Sequence, residues 1–409
     1  MRTDCIILGG GAAGLAACAH LAAHGANVAL VERMDRVGKK IMAAGNGRCN
    51  ISNEDMRPQL YGDAAPFVSS VYQATPPDEV LSFLGTLGLM TTREEGWIYP
   101  RTMMAASVLD VLRAPLSLPH VALMTDCEAR SLMPSRRGGW SVQLASGQGL
   151  FAPSVILALG GSAAPHLGTD GAGARLLDAL GHSVTPLHPA LVQLRSDHPA
   201  LRSLKGVRVH AALSLQIDGV PAAQETGELL FADYGLSGVC VFQLSRFASP
   251  ALAQKRRVQI LVNFLPEIAD TQSWLDARIT ALSTLDAQSL FTGVFPRLLA
   301  QAILRHAGIR PEAKAASLGS KERALLAQAV CAFPFEITGT QGFKSAQVTR
   351  GGASIHEVDP STMESRLFGG LYLAGEVLDV DGPCGGYNLH FAFASGITAA
   401  KSIEAALGV

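Results

Sequence analysis

Residues 4–17, Asp4-Cys5-Ile6-Ile7-Leu8-Gly9-Gly10-Gly11-Ala12-Ala13-Gly14-Leu15-Ala16-Ala17, decide the fold. Residues 4–8 read as a buried strand, because a short, unbroken apolar run suits a strand covered on both faces. Residues 12–24 are rich in Ala and Leu and read as a helix, with Gly25 closing it. Residues 27–32 give a second apolar strand that ends in Glu32. Strand, helix and strand within about 30 residues make a parallel βαβ unit.

The junction carries the G-x-G-x-x-G spacing as Gly9, Gly11 and Gly14. Gly9 permits the tight turn, Gly11 lets backbone approach a pyrophosphate, and Gly14 lets helix pack closely on sheet. Amides at Ala12 and Ala13 then open the helix, where its dipole favours an anion. Glu32 stands 18 residues after Gly14, placed to accept hydrogen bonds from ribose hydroxyls, and Arg33 follows it. The fingerprint predicts a dinucleotide and does not choose between FAD and NAD.

Outward from this unit, a polar glycine-rich loop covers residues 36–53, and helices are expected near 77–88 and 102–114. Strands are expected near 120–124, 128–133, 140–145 and 154–159, the last leading into Gly160-Gly161. The character changes near residue 187. Residues 188–265 carry short β-like runs and 266–334 are mostly helix-like, so 188–334 reads as an insertion. Residues 1–187 and 335–409 then form the two parts of one nucleotide-binding domain, closed by an Ala-rich helix over residues 388–407.

Composition sets limits on partners. Mean hydropathy is +0.24 and net charge is -1, so the chain has material for a large core and no global pull towards an acidic polymer. The one dense basic run, Lys255-Arg256-Arg257, reads as a solvated turn. Seven cysteines (5, 18, 49, 127, 240, 331 and 384) show no C-x-x-C pair and no spacing that suits zinc. Such usage suits reduced thiols and a cytoplasmic protein. The apolar helix after the glycines is interrupted by His20 and His24 and is too short to span a bilayer. No metal site is expected, and nothing in the sequence sets the oligomeric state.

Three further stretches carry a resemblance. Lys39-Lys40-Ile41-Met42-Ala43-Ala44-Gly45-Asn46-Gly47-Arg48-Cys49-Asn50-Ile51-Ser52-Asn53 resembles a G-x-G-R-C-N-x-[ST]-N loop. Residues 227–238 are similar to a G-E-[LM]-L-F-T-H-x-G-[LI]-S-G-P stretch, with Ala232-Asp233 standing where Thr-His is usual and Val239 where Pro is usual. Residues 375–389 are similar to a G-E-x-L-D-V-D-G-x-x-G-G-Y-N-[LF] block. All three belong to the HI0933-like (BaiN/RdsA-like) family of bacterial NAD(P)/FAD-dependent oxidoreductases. The resemblance implies a Rossmann-type α/β fold that binds FAD with both chain ends, and an insertion with a β-barrel-like and a helical piece. It also implies NAD(P)H as electron donor and reduction of an activated C=C bond, in steroid-type enones or in a uridine of rRNA.

Within those stretches, Gly45 and Gly47 would expose backbone amides to an anion, with Lys40 and Arg48 adding charge, or those cations are simply solvated. Cys49 and Asn50 lie in the same loop. Gly375-Glu376 would approach the cofactor closely. Gly385, Gly386, Tyr387 and Asn388 would bring a helix N-terminus to the flavin, although Asn388 equally suits a capping role. Ala129 is the position that the resemblance sets against adenine. Cys384, Tyr387, His390 and Cys49 are candidates for a proton donor, with Cys384 and Tyr387 preferred. Two other readings stay open: a flavin-dependent oxidase or dehydrogenase of a small metabolite, and a non-enzymatic redox sensor. Arg195, Arg202, Lys205, Arg208 and Arg246 could form a basic face in the insertion.

Overall fold

The computed structural model describes residues 3–136 and 138–408 and divides them into two compact units. The first takes Met1–His188 and Gln347–Val409; the second takes Pro189–Ala346.

At the centre of the first unit is a five-stranded parallel sheet, in the order Leu371–Leu373, Ser154–Leu157, Cys5–Leu8, Val28–Val31, Val121–Met124. The middle strand is wholly buried, as a parallel strand covered on both faces must be. In register, Leu8 lies between Val31 and Leu157, so those three strands end level with one another. The chain leaves that edge through Gly9 into the helix Ala12–Ala23, with His24 as its cap and Gly25 beyond it at φ 79°. The strand Leu371–Leu373 pairs with Ser154–Leu157, so the far end of the chain completes the sheet that the first residues begin.

The helices Ala12–Ala23 and Tyr387–Leu407 pack closely because their interface is built from small residues. A Cβ at Gly396 would lie 2.3 Å from the Ala13 carbonyl oxygen. Two antiparallel sheets complete this unit. One joins Ser52–Asn53, Trp97–Pro100 and Thr91–Glu94; the other joins Ala129–Pro134, Trp140–Leu144 and Gly149–Ala152.

In the second unit, seven strands pair antiparallel around a separate core. Their order is Phe333–Glu336, Val258–Asn263, Arg208–Ile217, Val220–Ala232, Gly235–Ser237, Leu194–Arg195, Gly339–Thr340. The long hairpin turns on Asp218 and Gly219, both at positive φ, which matches the twist of two-residue turns. Among the described residues no pairing joins the two outer strands, so the expected β-barrel-like piece is an open sheet. The expected return to the first unit at residue 335 falls inside this sheet, because Phe333–Glu336 pairs with Val258–Asn263. Helix Val239–Ala253 stands in the stretch read as β-like. Its Val-Cys-Val-Phe start mimics a strand, yet Gly238 breaks the preceding strand and lets the helix begin. Helices Thr271–Ala281, Arg297–His306 and Ser320–Cys331 make up the helical part.

Candidate functional site

Gly9 adopts φ +106°, donates its N–H to the Val31 carbonyl at 2.8 Å, and leaves no room for a side chain. A Cβ there would lie 2.3 Å from the Ala158 oxygen, and one at Gly14 would lie 1.9 Å from the Gly9 oxygen. Around Gly11, by contrast, there is open space on the Cβ side, and no side chain caps the helix. Backbone amides at Gly11, Ala12 and Ala13 therefore open a helix whose positive end faces an accessible cradle.

Both oxygens of Glu32 already hold the loop around this cradle. Oε2 accepts the Gly10 N–H at 2.9 Å and Oε1 the Met34 N–H at 2.8 Å. A carboxylate oxygen has two lone pairs, so this clamp leaves acceptor capacity for ribose hydroxyls. Arg33 turns to Asp170, 2.9 Å away, and so ties the acid-bearing strand to the Gly168–Gly171 turn. Cys127 donates its N–H to the Glu32 carbonyl at 2.9 Å, which brings the segment leading into Ala129 alongside.

A second set of bonds joins the two ends of the chain. Lys40 Nζ donates to Glu376 Oε2 at 2.5 Å, and Glu376 Oε1 accepts the Thr349 N–H at 2.8 Å. The Thr349 hydroxyl accepts N–H bonds from Ser162 at 2.7 Å and Ala163 at 3.0 Å. A Cβ at Gly161 would strike this hydroxyl at 2.3 Å, and Gly160 turns at φ +70°. Lys40 is thus a tie to Glu376 before it is a free positive charge. Gly375, at φ +73°, donates its N–H to Ser395 Oγ at 2.9 Å and lies against Ala13. Thr349 and Ser395 did not stand out in the sequence. Gly351-Gly352 just after it was a signal for the first; a lone helical serine gave none for the second.

The loop at residues 44–53 lies against the N-terminus of the closing helix. Gly45, Asn46, Gly47 and Cys49 all have positive φ, so the chain doubles back tightly there. Gly386, the cap of helix Tyr387–Leu407, sits at φ +95° without a side-chain cap bond. A Cβ on it would lie 2.4 Å from the Ser52 oxygen and 2.6 Å from Asn50 Oδ1. Asn50 is 8% exposed, and neither its Nδ2 nor its Oδ1 has a partner. A buried amide with donor and acceptor both unanswered costs free energy unless something fills them. Asn53 Nδ2 donates to the Gly385 oxygen at 3.0 Å, which holds the two glycine segments together.

Asn388 does not cap the helix. It accepts the Gly382 N–H at 2.7 Å and donates to the oxygens of Gly382 and Pro383 at 2.9 and 3.2 Å, so it shapes the loop that carries Cys384. Arg48 leaves the glycine cluster altogether. Its guanidinium stacks 4.4 Å over the Tyr99 ring and meets Glu94 at 3.4 Å, near the surface.

The proton-donor candidates separate by environment. Burial pushes the Cys49 thiol up to about 12, so it stays protonated and inert. Complete burial takes the His390 imidazole down to about 3, and it stands edge-on to Tyr72 inside the closing helix. Tyr387 is buried, which raises its phenol, and its carbonyl accepts the Tyr61 hydroxyl at 2.9 Å. Cys384 is half-buried in the loop between Gly382 and Gly386. Among the described residues no helix is long and apolar enough to cross a membrane.

Comparison with known proteins gives a consistent result. The family model described as HI0933-like protein Rossmann domain matches residues 3–402. The 3-dehydro-bile acid delta(4,6)-reductase of Clostridium scindens is 39% identical over 401 residues, spanning 97% of this chain and 98% of its own. The ribosomal RNA dihydrouridine synthase of Escherichia coli is 27% identical over 410 residues, covering 99% of each. Among solved structures, the 3-ketosteroid-delta4-(5alpha)-dehydrogenase of Rhodococcus jostii superposes with a TM-score of 0.51 at 15% identity, covering 98% of this chain and 96% of that one.

Proposed function

Because this chain belongs to the HI0933-like family, we propose that it reduces an activated C=C bond of a 3-oxo steroid with electrons from NAD(P)H. It is an oxidoreductase and its cofactor is FAD. The observation that carries the steroid reading is the end-to-end 39% identity to a reductase of 3-dehydro-bile acids.

The residues present fit FAD at both ends. Gly11, Ala12 and Ala13 offer amides at a helix N-terminus to the pyrophosphate, and Glu32 keeps lone pairs for a ribose. Asn50 offers an unpartnered donor and an unpartnered acceptor beside the N-terminus of the closing helix. The pyrimidine edge of a flavin presents carbonyl acceptors and an N–H donor, which answers both. FAD when bound supplies hydride transfer. The chain's part is to hold that edge, favour negative charge on it through the helix dipole, and bring a proton. Cys384 and Tyr387 flank Gly385-Gly386 and are the candidates for that proton. Tyr387, raised by burial, carries its proton at neutral pH.

Small-molecule chemistry is favoured over RNA because several cations of the second unit are already engaged, Arg195 and Arg202 being exposed. Lys205 pairs with Asp233, Arg208 pairs with Glu228, and Arg246 is 7% exposed. The run at 255–257 is likewise engaged, Arg256 with Asp218 and Arg257 with Glu336. Neutralised cations release few counterions and give weak affinity for a phosphate backbone.

The test is anaerobic. NAD(P)H is added to the FAD-loaded protein and bleaching of the flavin is followed. Reoxidation is then measured with a 3-oxo steroid carrying conjugated double bonds and with rRNA lacking dihydrouridine. Bleaching followed by reoxidation with the steroid supports the proposal. A flavin that NAD(P)H leaves oxidised overturns it in favour of an oxidase, a dehydrogenase or a redox sensor. Reoxidation by the RNA alone moves the substrate to a nucleobase.

A further inference from the structure

We propose that His20, His24 and Glu404 form a binding site for a divalent transition metal of the zinc class, remote from the cofactor. His20 is in the last turn of helix Ala12–Ala23 and His24 is its cap, so the two are four residues apart and share a face. Glu404 comes from the C-terminal part of helix Tyr387–Leu407. The His20 Nε2 atom is 2.7 Å from Glu404 Oε2, and His24 Nε2 is 3.6 Å from Glu404 Oε1. One donor atom from each residue falls within 4.8 Å of the other two. Zinc bonds nitrogen and oxygen at about 2.0–2.2 Å, which places tetrahedral donors roughly 3.3–3.5 Å apart. Small rotamer changes bring three such atoms onto one ion.

Orientation supports the assignment. His24 Nδ1 is 2.9 Å from the His20 carbonyl oxygen, which fixes that nitrogen as the N–H and leaves Nε2 with its lone pair outward. A ring nitrogen tied to a backbone carbonyl is the usual support for a metal-ligating histidine. The two rings lie 4.5 Å apart at 34°, close enough to converge. Lys401, the nearest cation on the same helix, is held by Glu79 and by the Ala74 carbonyl, so it does not occupy the Glu404 carboxylate. The C-terminal end of the first helix also carries partial negative charge, which favours a cation. His24 is 42% exposed at its side chain, so the site is open to solvent for entry and for a fourth, water ligand.

The helix Ala12–Ala23 is about 18 Å long, so the site stands a full helix away from the glycine loop. Its chemistry is therefore that of a clasp. It would join the C-terminal ends of two helices whose N-termini frame the cofactor cradle. The cysteine spacing carries no trace of it, since two of its ligands are histidines and the third lies 380 residues beyond His24.

The experiment uses tag-free, FAD-loaded protein and Co(II) or Zn(II) alone as probe. Wild type is expected to bind one equivalent of Co(II) with visible d–d absorption of a four- or five-coordinate ion, and Zn(II) to displace it. His24→Ala changes an exposed side chain and keeps the fold; affinity is expected to fall at least 10-fold, and Glu404→Gln should do the same. Binding of equal affinity in wild type and both variants, or none in wild type, overturns the assignment. A far-ultraviolet spectrum and flavin content for each variant separate loss of ligand from loss of fold. The result is independent of which substrate the flavin site reduces.

Discussion

His390 offers the sharpest test of how the closing helix is built. Its ring is fully buried, neither nitrogen has a partner among the described residues, and burial lowers its pKa from 6.5 to about 3. A buried imidazole with a depressed pKa is neutral in the fold, whereas the unfolded chain takes up a proton as soon as pH drops through about 6.5. The contribution is therefore intact above that value and is lost as pH falls, by about 1.4 kcal/mol per pH unit, down to the folded pKa. Over the whole window this amounts to about 5 kcal/mol, and between pH 6.5 and 4.5 to about 3 kcal/mol. His390→Phe keeps a flat ring of similar size beside Tyr72 and removes both the titration and the unanswered nitrogens. Urea unfolding of the FAD-loaded protein, followed by far-ultraviolet circular dichroism from pH 7.5 to 4.5, reads the difference. The variant is expected to match or exceed wild type at pH 7.5, since removing an unpaired buried polar group is neutral or favourable. It should lose about 3 kcal/mol less than wild type by pH 4.5. Other groups that oppose acid, such as Glu357 held down by Ser183 and His182, act equally in both proteins and cancel. Parallel loss of stability in the two proteins would refute the reasoning, because it would mean that His390 titrates as it does in water.

Other outcomes follow from the cradle. Gly386→Ala puts a Cβ within 2.4 Å of the Ser52 oxygen at a left-handed residue, so FAD content after purification should fall to a small fraction of wild type. Asn50→Leu removes a donor and an acceptor that have no partner among the described residues. FAD affinity should weaken by about 10- to 100-fold, from fluorescence titration, while the thermal midpoint of flavin-free protein does not drop. A double-mutant cycle of Lys40→Met and Glu376→Gln should give a coupling of about 1 kcal/mol in urea unfolding, because the pair is partly exposed. A coupling near zero would mean that the pair does not hold the two chain ends together.

Much of the fold was legible because its decisive parts are local. The strand, the glycines, the Ala-rich helix and Glu32 fall within 29 residues, and at Gly9 and Gly14 sterics admit only glycine. The open sheet of the second unit was less legible. Strand pairing across 194–195 and 339–340 depends on residues far apart in sequence, and Val239–Ala253 begins with residues that suit a strand. Among site residues, the turns made by glycines were legible in the sequence, and the partners of side chains were not. Arg48 was read as a charge beside an anion or as a solvated cation, and Tyr99 and Glu94 give it a stacked, charge-paired place. Asn388 was expected at a cap or a cofactor; it does not cap the helix, and its amide holds the backbone of Gly382 and Pro383. Such choices depend on partners that only the folded chain assembles.

The close seating of helix Tyr387–Leu407 on helix Ala12–Ala23, with Gly396 against the Ala13 carbonyl, has a consequence for biosynthesis. A ribosome delivers the glycine loop first and the residues that frame its other side about 380 codons later. During that interval the second unit, with its own core, has everything it needs to fold, while the nascent parallel sheet lacks its Leu371–Leu373 strand. Flavin capture is therefore a late event in translation, and a truncated product that stops before residue 387 should emerge colourless.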